Sequence, residues 1–134
     1  MKKYFKILPH KADLQLKVFA PSKEELFLNS MRAMFETTET KGGEGEVSRE
    51  IEISTPNLEQ LLIDFLSEII YLSETNNEVY HDIIFEEFSN TYLKGQLKGE
   101  RILKRGVFVK GVTYHNFQVQ KKNKHWEATI LFDI

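Results

Sequence analysis

The chain has 134 residues, a formal net charge of −2, 41% hydrophobic and 28% charged residues, and no cysteine. That length suits one domain burying about 70% of the surface its unfolded chain exposes. The lack of cysteine excludes a disulfide framework, a thiolate zinc site, a catalytic thiol and an iron–sulfur cluster.

Tyr4–Leu8 reads as a short strand, stopped by Pro9, which lacks the N–H that a ladder needs. His10-Lys11-Ala12-Asp13 is then a loop. Leu14, Leu16 and Val18 alternate with Gln15 and Lys17, the period of a half-buried strand. Ser22-Lys23-Glu24-Glu25 is a capping box, and Phe27, Met31, Met34 and Phe35 follow at helical spacing, so a helix is expected over 23–37. Lys41–Glu46 reads as a plain connector. Its glycines suggest a phosphate loop, but no Lys-Ser or Lys-Thr follows, and Glu44 and Glu46 would repel phosphate.

Val47, Ile51 and Ile53 mark the next strand. Thr55-Pro56 opens a second helix, with Pro56 at its first position and an apolar stripe (Leu58, Leu61, Leu62, Phe65, Leu66, Ile69, Ile70) running to about Ser73. Strands follow. Residues 79–88 and 91–98 form a hairpin across Ser89-Asn90, whose Asn tolerates positive φ. Val107, Val109, Val112 and Tyr114 form a strand interrupted by a bulge at Gly111. Phe117 and Val119 lead to a turn at Lys122-Asn123, and Trp126, Ala128, Ile130 and Phe132 share a face of the last strand. This order predicts an α+β fold: a mostly antiparallel β-sheet with two amphipathic helices packed on it, in a single domain over 1–134.

The small net charge hides a split. Residues 1–93 carry nine Lys/Arg against seventeen Asp/Glu, whereas residues 94–125 carry nine basic residues against Glu100 alone. Such a block suggests an anionic partner, or lysines that keep edge strands from aggregating. No apolar run approaches the roughly 20 residues of a membrane span, and no signal-peptide core follows the N-terminal lysines. The expectation is a soluble, cytoplasmic protein with no membrane partner.

No Gly-x-Ser-x-Gly or Ser-x-x-Lys is present, and the four histidines lack zinc-ligand spacing. The chain end carries more chemistry. A strongly β-patterned segment ends Phe132-Asp133-Ile134, which sets the Asp133 carboxylate beside the α-carboxylate of Ile134. Neighbouring carboxylates repel, and a hard divalent cation relieves that repulsion. If the first and last strands are neighbours, Asp13 joins them to complete an all-oxygen site suited to calcium or magnesium.

His10-Lys11-Ala12-Asp13, Leu61–Glu68 in the second helix, Lys110-Gly111-Val112-Thr113-Tyr114-His115 and the terminal Phe132-Asp133-Ile134 together resemble the archease family, in order over nearly the whole chain. The resemblance implies a small α+β accessory protein of the RtcB-type RNA ligase, which joins 2′,3′-cyclic-phosphate or 3′-phosphate ends to 5′-hydroxyl ends, as in tRNA splicing. That ligase uses GTP and manganese through a guanylylated histidine of its own. The accessory protein promotes guanylylation and multiple turnover and is not itself an enzyme. It meets tRNA indirectly, through the ligase. The family's metal ligands map onto Asp13, Asp133 and the Ile134 carboxylate, and its functional lysine onto Lys110. The cation expected is calcium first, then magnesium or manganese, with His10 behind Asp13 as a supporting group. The family usually has Thr where Lys11 stands, so this chain brings an added positive charge near the oxygen set. A weak homo-oligomer is compatible with the same reading.

Two rival functions follow from the residues. One is an RNA-binding module gripping phosphates with the 94–125 segment. The other is a small metal-dependent phosphoesterase built on the three carboxylates.

Overall fold

The computed structural model describes residues 4–8 and 13–134. The elements are β1 (Phe5–Leu8), β2 (Leu14–Ala20), α1 (Lys23–Thr37), β3 (Lys41–Ser54), α2 (Leu58–Asn76), β4 (Glu78–Phe88), β5 (Tyr92–Lys104), β6 (Gly111–Lys122) and β7 (His125–Asp133). The α+β reading holds, with the strands divided between two antiparallel sheets. Sheet A has the order β1-β2-β7-β6 and sheet B the order β3-β5-β4.

The alternation in β2 and β7 explains how sheet A meets the helices. Leu16 lies opposite Ile130 and Val18 opposite Ala128, and all four are fully buried. Against them pack Phe27 and Met31 of α1, the Leu61, Leu62, Phe65, Leu66 and Ile69 stripe of α2, and Ile51, Leu93 and Leu97 of sheet B. Each such side chain contributes about 1.5–3 kcal/mol by leaving water.

Local chemistry sets the helix ends. The Ser22 hydroxyl accepts the Glu25 N–H at 3.2 Å, so α1 spans Lys23–Thr37 as expected. The start of α2 differs from the expectation at Pro56. Asn57 is the cap, its Oδ1 accepting the Gln60 N–H at 2.8 Å, and Pro56 lies outside the helix. The helix also passes Ser73 and ends where Asn77 turns left-handed (φ 56°) and donates its N–H back to the Ser73 carbonyl.

Three strand expectations are corrected. Residues 41–46 are not a connector but the start of β3, paired with a β5 that continues to Lys104. The register slips between Gly42 and Glu46, where Gly45 has φ 89°. This stretch is largely exposed, so no alternation marks it. The β4–β5 turn is Ser89-Asn90-Thr91, closed by Ser89 N–H to the Tyr92 carbonyl, and Asn90 keeps negative φ. The expected turn at Lys122-Asn123 holds, with Asn123 at φ 51°. Gly111 opens β6 rather than interrupting it. The irregularity lies between Thr113 and Gln118, around Asn116 at φ 56°.

In sheet B the central strand carries Gly99, where a Cβ would stand 1.9 Å from the Val79 carbonyl oxygen. The Arg49 guanidinium of β3 reaches Glu78 of β4 with two bonds, Nε to Oε1 at 2.9 Å and Nη2 to Oε2 at 2.8 Å. The Tyr80 hydroxyl donates to the same Oε1 at 2.8 Å. The bonds from Arg49 hold the Glu78 carboxyl below its usual range despite burial, while burial and the Glu78 charge push the Tyr80 hydroxyl up.

Gly99→Ala is therefore expected to cost about 3 kcal/mol or more, lowering the thermal midpoint by roughly 10 °C in a melt followed by circular dichroism. Because the folded Glu78 pKa lies below the unfolded value of about 4.3, its contribution is full above that pH and fades as pH falls through the folded pKa. Denaturant titrations below about pH 4.3 should show this loss, and Glu78→Gln should flatten that limb of the profile.

Candidate functional site

The β2–β7 ladder begins at Leu14 opposite Phe132, both on the core face. Side chains alternate along strands, so the next rung carries Asp13 and Asp133 toward the other face. The conditional expectation named the first strand. The structure instead makes β2 the neighbour of the last strand, with β1 outside it. Asp13 is half-buried and Asp133 exposed, and Ile134 packs partly against the core.

On the other side of β7, Gly111 pairs with Asp133, and a Cβ added at Gly111 would meet nothing within 4 Å. One residue earlier, the Lys110 N–H donates to the Asp133 carbonyl at 2.7 Å. Lys110 itself is exposed. The end of sheet A thus collects Asp13, Asp133, Ile134 and Lys110, four residues from three separate segments. His10 and Lys11 lie outside the described residues.

Within the described residues, no basic side chain lies within 4 Å of the Asp13 or Asp133 carboxylates. No three His, Asp or Glu side chains gather into a metal site there either. The donors that Asp13 and Asp133 bring to this end of the sheet are carboxylate oxygens. An oxygen-only set beside open space fits a hard divalent ion that keeps several waters.

What places Lys110 is the irregular segment 105–110, which crosses from sheet B to sheet A. Arg105 bonds the Ser73 carbonyl at 3.2 Å and pairs with Glu74 at 3.6 Å. The Gly106 N–H reaches Thr40 Oγ1 at 3.2 Å, and the Val107 N–H reaches the Thr38 carbonyl at 2.8 Å. A Cβ on Gly106 would stand 1.7 Å from that carbonyl oxygen. Beyond Lys110, Gln60 of α2 donates to both Asp64 (2.7 Å) and the Tyr114 hydroxyl (2.9 Å), tying the irregular stretch of β6 to the helix. Sequence reasoning missed these anchors. Only Gly106 signalled them, because the alternation of Val107 and Val109 read as strand, whereas both lie in this irregular segment before β6.

The basic block of residues 94–125 does not form one surface. Lys94, Lys98, Arg101 and Lys104 lie on β5 of sheet B, whereas Lys121 and Lys122 lie on β6 of sheet A. Several are already matched: Lys94 with Glu86 at 4.0 Å, Arg105 with Glu74, and Lys122 with Glu127 at 3.3 Å. No helix among the described residues is long and apolar enough to cross a membrane.

Residues 5–134 match the family model described as "Archease protein family (MTH1598/TM1083)". The protein archease of Methanosarcina barkeri is 36% identical over 98% of this chain and 97% of its own length, and that of Methanosarcina mazei is 32% identical over the same shares. In fold, the chain is similar to a Thermotoga maritima crystal structure described as an archease, possible chaperone (TM-score 0.71, 21% identity, 96% of each chain). It is also similar to the solution structure of Methanobacterium thermoautotrophicum protein 1598 (TM-score 0.71, 23% identity, 98% of this chain and 99% of that one). With the family model spanning nearly all of the sequence and relatives above 30% identity matched almost end to end, the chain belongs to the archease family.

Proposed function

We propose that this protein is an accessory factor of an RtcB-type RNA ligase, promoting the ligase's guanylylation and repeated turnover without being an enzyme itself. The observation that supports this most is the convergence at one end of sheet A. Continued one rung past Leu14 and Phe132, the β2–β7 register sets Asp13 opposite Asp133, and the Lys110 N–H is bonded to the Asp133 carbonyl. Catalysis of nucleotidyl transfer rests mainly on positioning and charge compensation, so a partner can assist without supplying a nucleophile.

In this reading Asp13, Asp133 and the Ile134 carboxylate hold a divalent cation, calcium first. When bound, that cation offsets phosphate charge at the tip. Lys110 adds a compact, mobile ammonium group beside it. Its main chain is fixed by the bond to Asp133 while its side chain stays exposed, so the charge can reach a partner's site. Gly111 leaves the approach open.

Mixed with its ligase, GTP and manganese, the wild-type protein should accelerate ligase guanylylation at substoichiometric amounts. Asp13→Asn and Asp133→Asn should each reduce that stimulation by at least about tenfold and abolish calcium binding in a calorimetric titration. Normal stimulation by both variants would end the metal-tip reading. Lys110→Ala should retain calcium binding yet lose stimulation, which separates charge delivery from metal holding. Residues appended after Ile134 should weaken calcium binding, because the terminal carboxylate becomes an amide.

A further inference from the structure

The opposite end of sheet A carries a second surface that uses none of these residues. There the face turned away from the helices brings together Lys6 of β1, Lys17 and Phe19 of β2, Lys122 of β6 and His125 of β7. Lys6 and Lys17 stand directly opposite one another in the β1–β2 register. Like charges in that position are unfavourable for the sheet.

One carboxylate serves Lys17, Lys122 and His125 together. Glu127, nine-tenths buried, lies 3.7 Å from Lys17 Nζ, 3.3 Å from Lys122 Nζ and 3.1 Å from His125 Nε2. Burial alone would push the Glu127 carboxyl up, but its bonds to His125 and Lys122 and the Lys17 charge outweigh that and hold it below the usual range. Lys6, Lys23, Lys121 and Lys124 have no carboxylate within 4 Å among the described residues. Glu24 and Glu25, exposed in the first turn of α1, pair with none of them.

These cations surround aromatic rings. Lys6 Nζ lies 5.7 Å from the Phe19 ring centre, and the His125 ring meets Phe19 edge-on at 6.1 Å. On the opposite, helix-facing side of sheet A, Lys23 and Lys121 stand 5.2 and 5.8 Å from the Trp126 ring. Beside Phe19 runs a groove lined by Tyr4, Phe19, Pro21, Lys124, His125 and Glu127. Excess ammonium charge calls for a polyanion, and a groove lined by aromatic rings calls for flat, unpaired bases. An acidic protein segment would satisfy only the charge.

We propose that this end of sheet A binds a single-stranded nucleic acid, with Lys6, Lys122 and Lys124 contacting phosphates and Phe19 and Tyr4 receiving bases. The site is independent of the ligase reading. The nine residues of β7 set it about 26 Å from Asp133 at 3.3 Å per residue.

The probes are a fluorescein-labelled twelve-nucleotide single-stranded RNA and the DNA of the same sequence, titrated with the full chain and followed by anisotropy between 50 and 300 mM salt. Binding should weaken steeply with salt, with a log–log slope of about −2 to −3 for three or four phosphate contacts. Lys122→Glu with Lys124→Glu should weaken binding at least about tenfold and flatten the slope. Phe19→Leu should weaken it about fivefold or more with the slope unchanged, the signature of lost stacking. Lys94→Glu with Lys98→Glu, on sheet B, should stay within about twofold, and circular dichroism melts should confirm that every variant folds. Equal affinity for RNA and DNA places recognition in phosphates and bases, and tighter RNA binding adds a contact to the 2′-hydroxyl; both support the site. Four results would overturn it: no binding at 50 mM salt, equal loss in the sheet B variant, displacement by polyglutamate as effective as by unlabelled RNA, or preference for duplex.

Discussion

The antiparallel pairing of β2 with β7 is the constraint on which the rest of the molecule depends. It joins residues 14–20 to residues 126–132, so most of the chain lies in the loop it closes. Closing a loop of that length costs conformational entropy, and pairings so far apart in sequence form slowly. What offsets the cost is the row of fully buried side chains the ladder brings together, Leu16, Val18, Ala128, Ile130 and Phe132, against α1 and α2. A slip of one residue would turn that row to solvent, which is why the register is strongly specified. The same register sets Asp13 beside Asp133 at one end and Phe19 near His125 at the other.

Sheet A is thus a platform with two chemically unlike ends. One end has carboxylates and a lysine whose main chain is bonded to Asp133. The other has an excess of ammonium groups over aromatic rings. The link between the sheets matters for the first end. Segment 105–110 is pinned to the ends of both helices, and Gly106 sits so close to the Thr38 carbonyl that no side chain fits there. Sheet B, closed by the Arg49–Glu78–Tyr80 bonds, holds the segment's other attachment through β5.

Elements with one buried face were legible in the sequence. Both helices, β2 and β7 show the apolar periods that burial on one side imposes, and Ser22 signalled its cap. The start of β3 did not show, because Lys41–Glu46 is largely exposed and bears no alternation; its pairing depends on a β5 longer than its own pattern suggested. The irregularity after Thr113 was misplaced to Gly111, since an asparagine at positive φ leaves a weaker mark than a glycine. For the site, Asp13, Asp133 and Lys110 stood out by type and by family resemblance, but their adjacency is a property of register. The basic–aromatic end could not be read at all. Its lysines are spread from position 6 to position 124, while the conspicuous run at 94–125 is divided between two sheets.

The strand order also has a consequence for the growing chain. Sheet B and both helices are encoded by residue 104, so those parts can associate while synthesis continues. β1 and β2 are made first, yet the inner edge of β2 has no partner until residues 125–133 emerge to fill the middle of sheet A. An interrupted chain lacking that last strand would expose the β2 and β6 edges together, a template for pairing with other chains. Quality control of this protein therefore has a natural checkpoint: the insertion of β7, which completes the sheet and assembles both of its ends in one step.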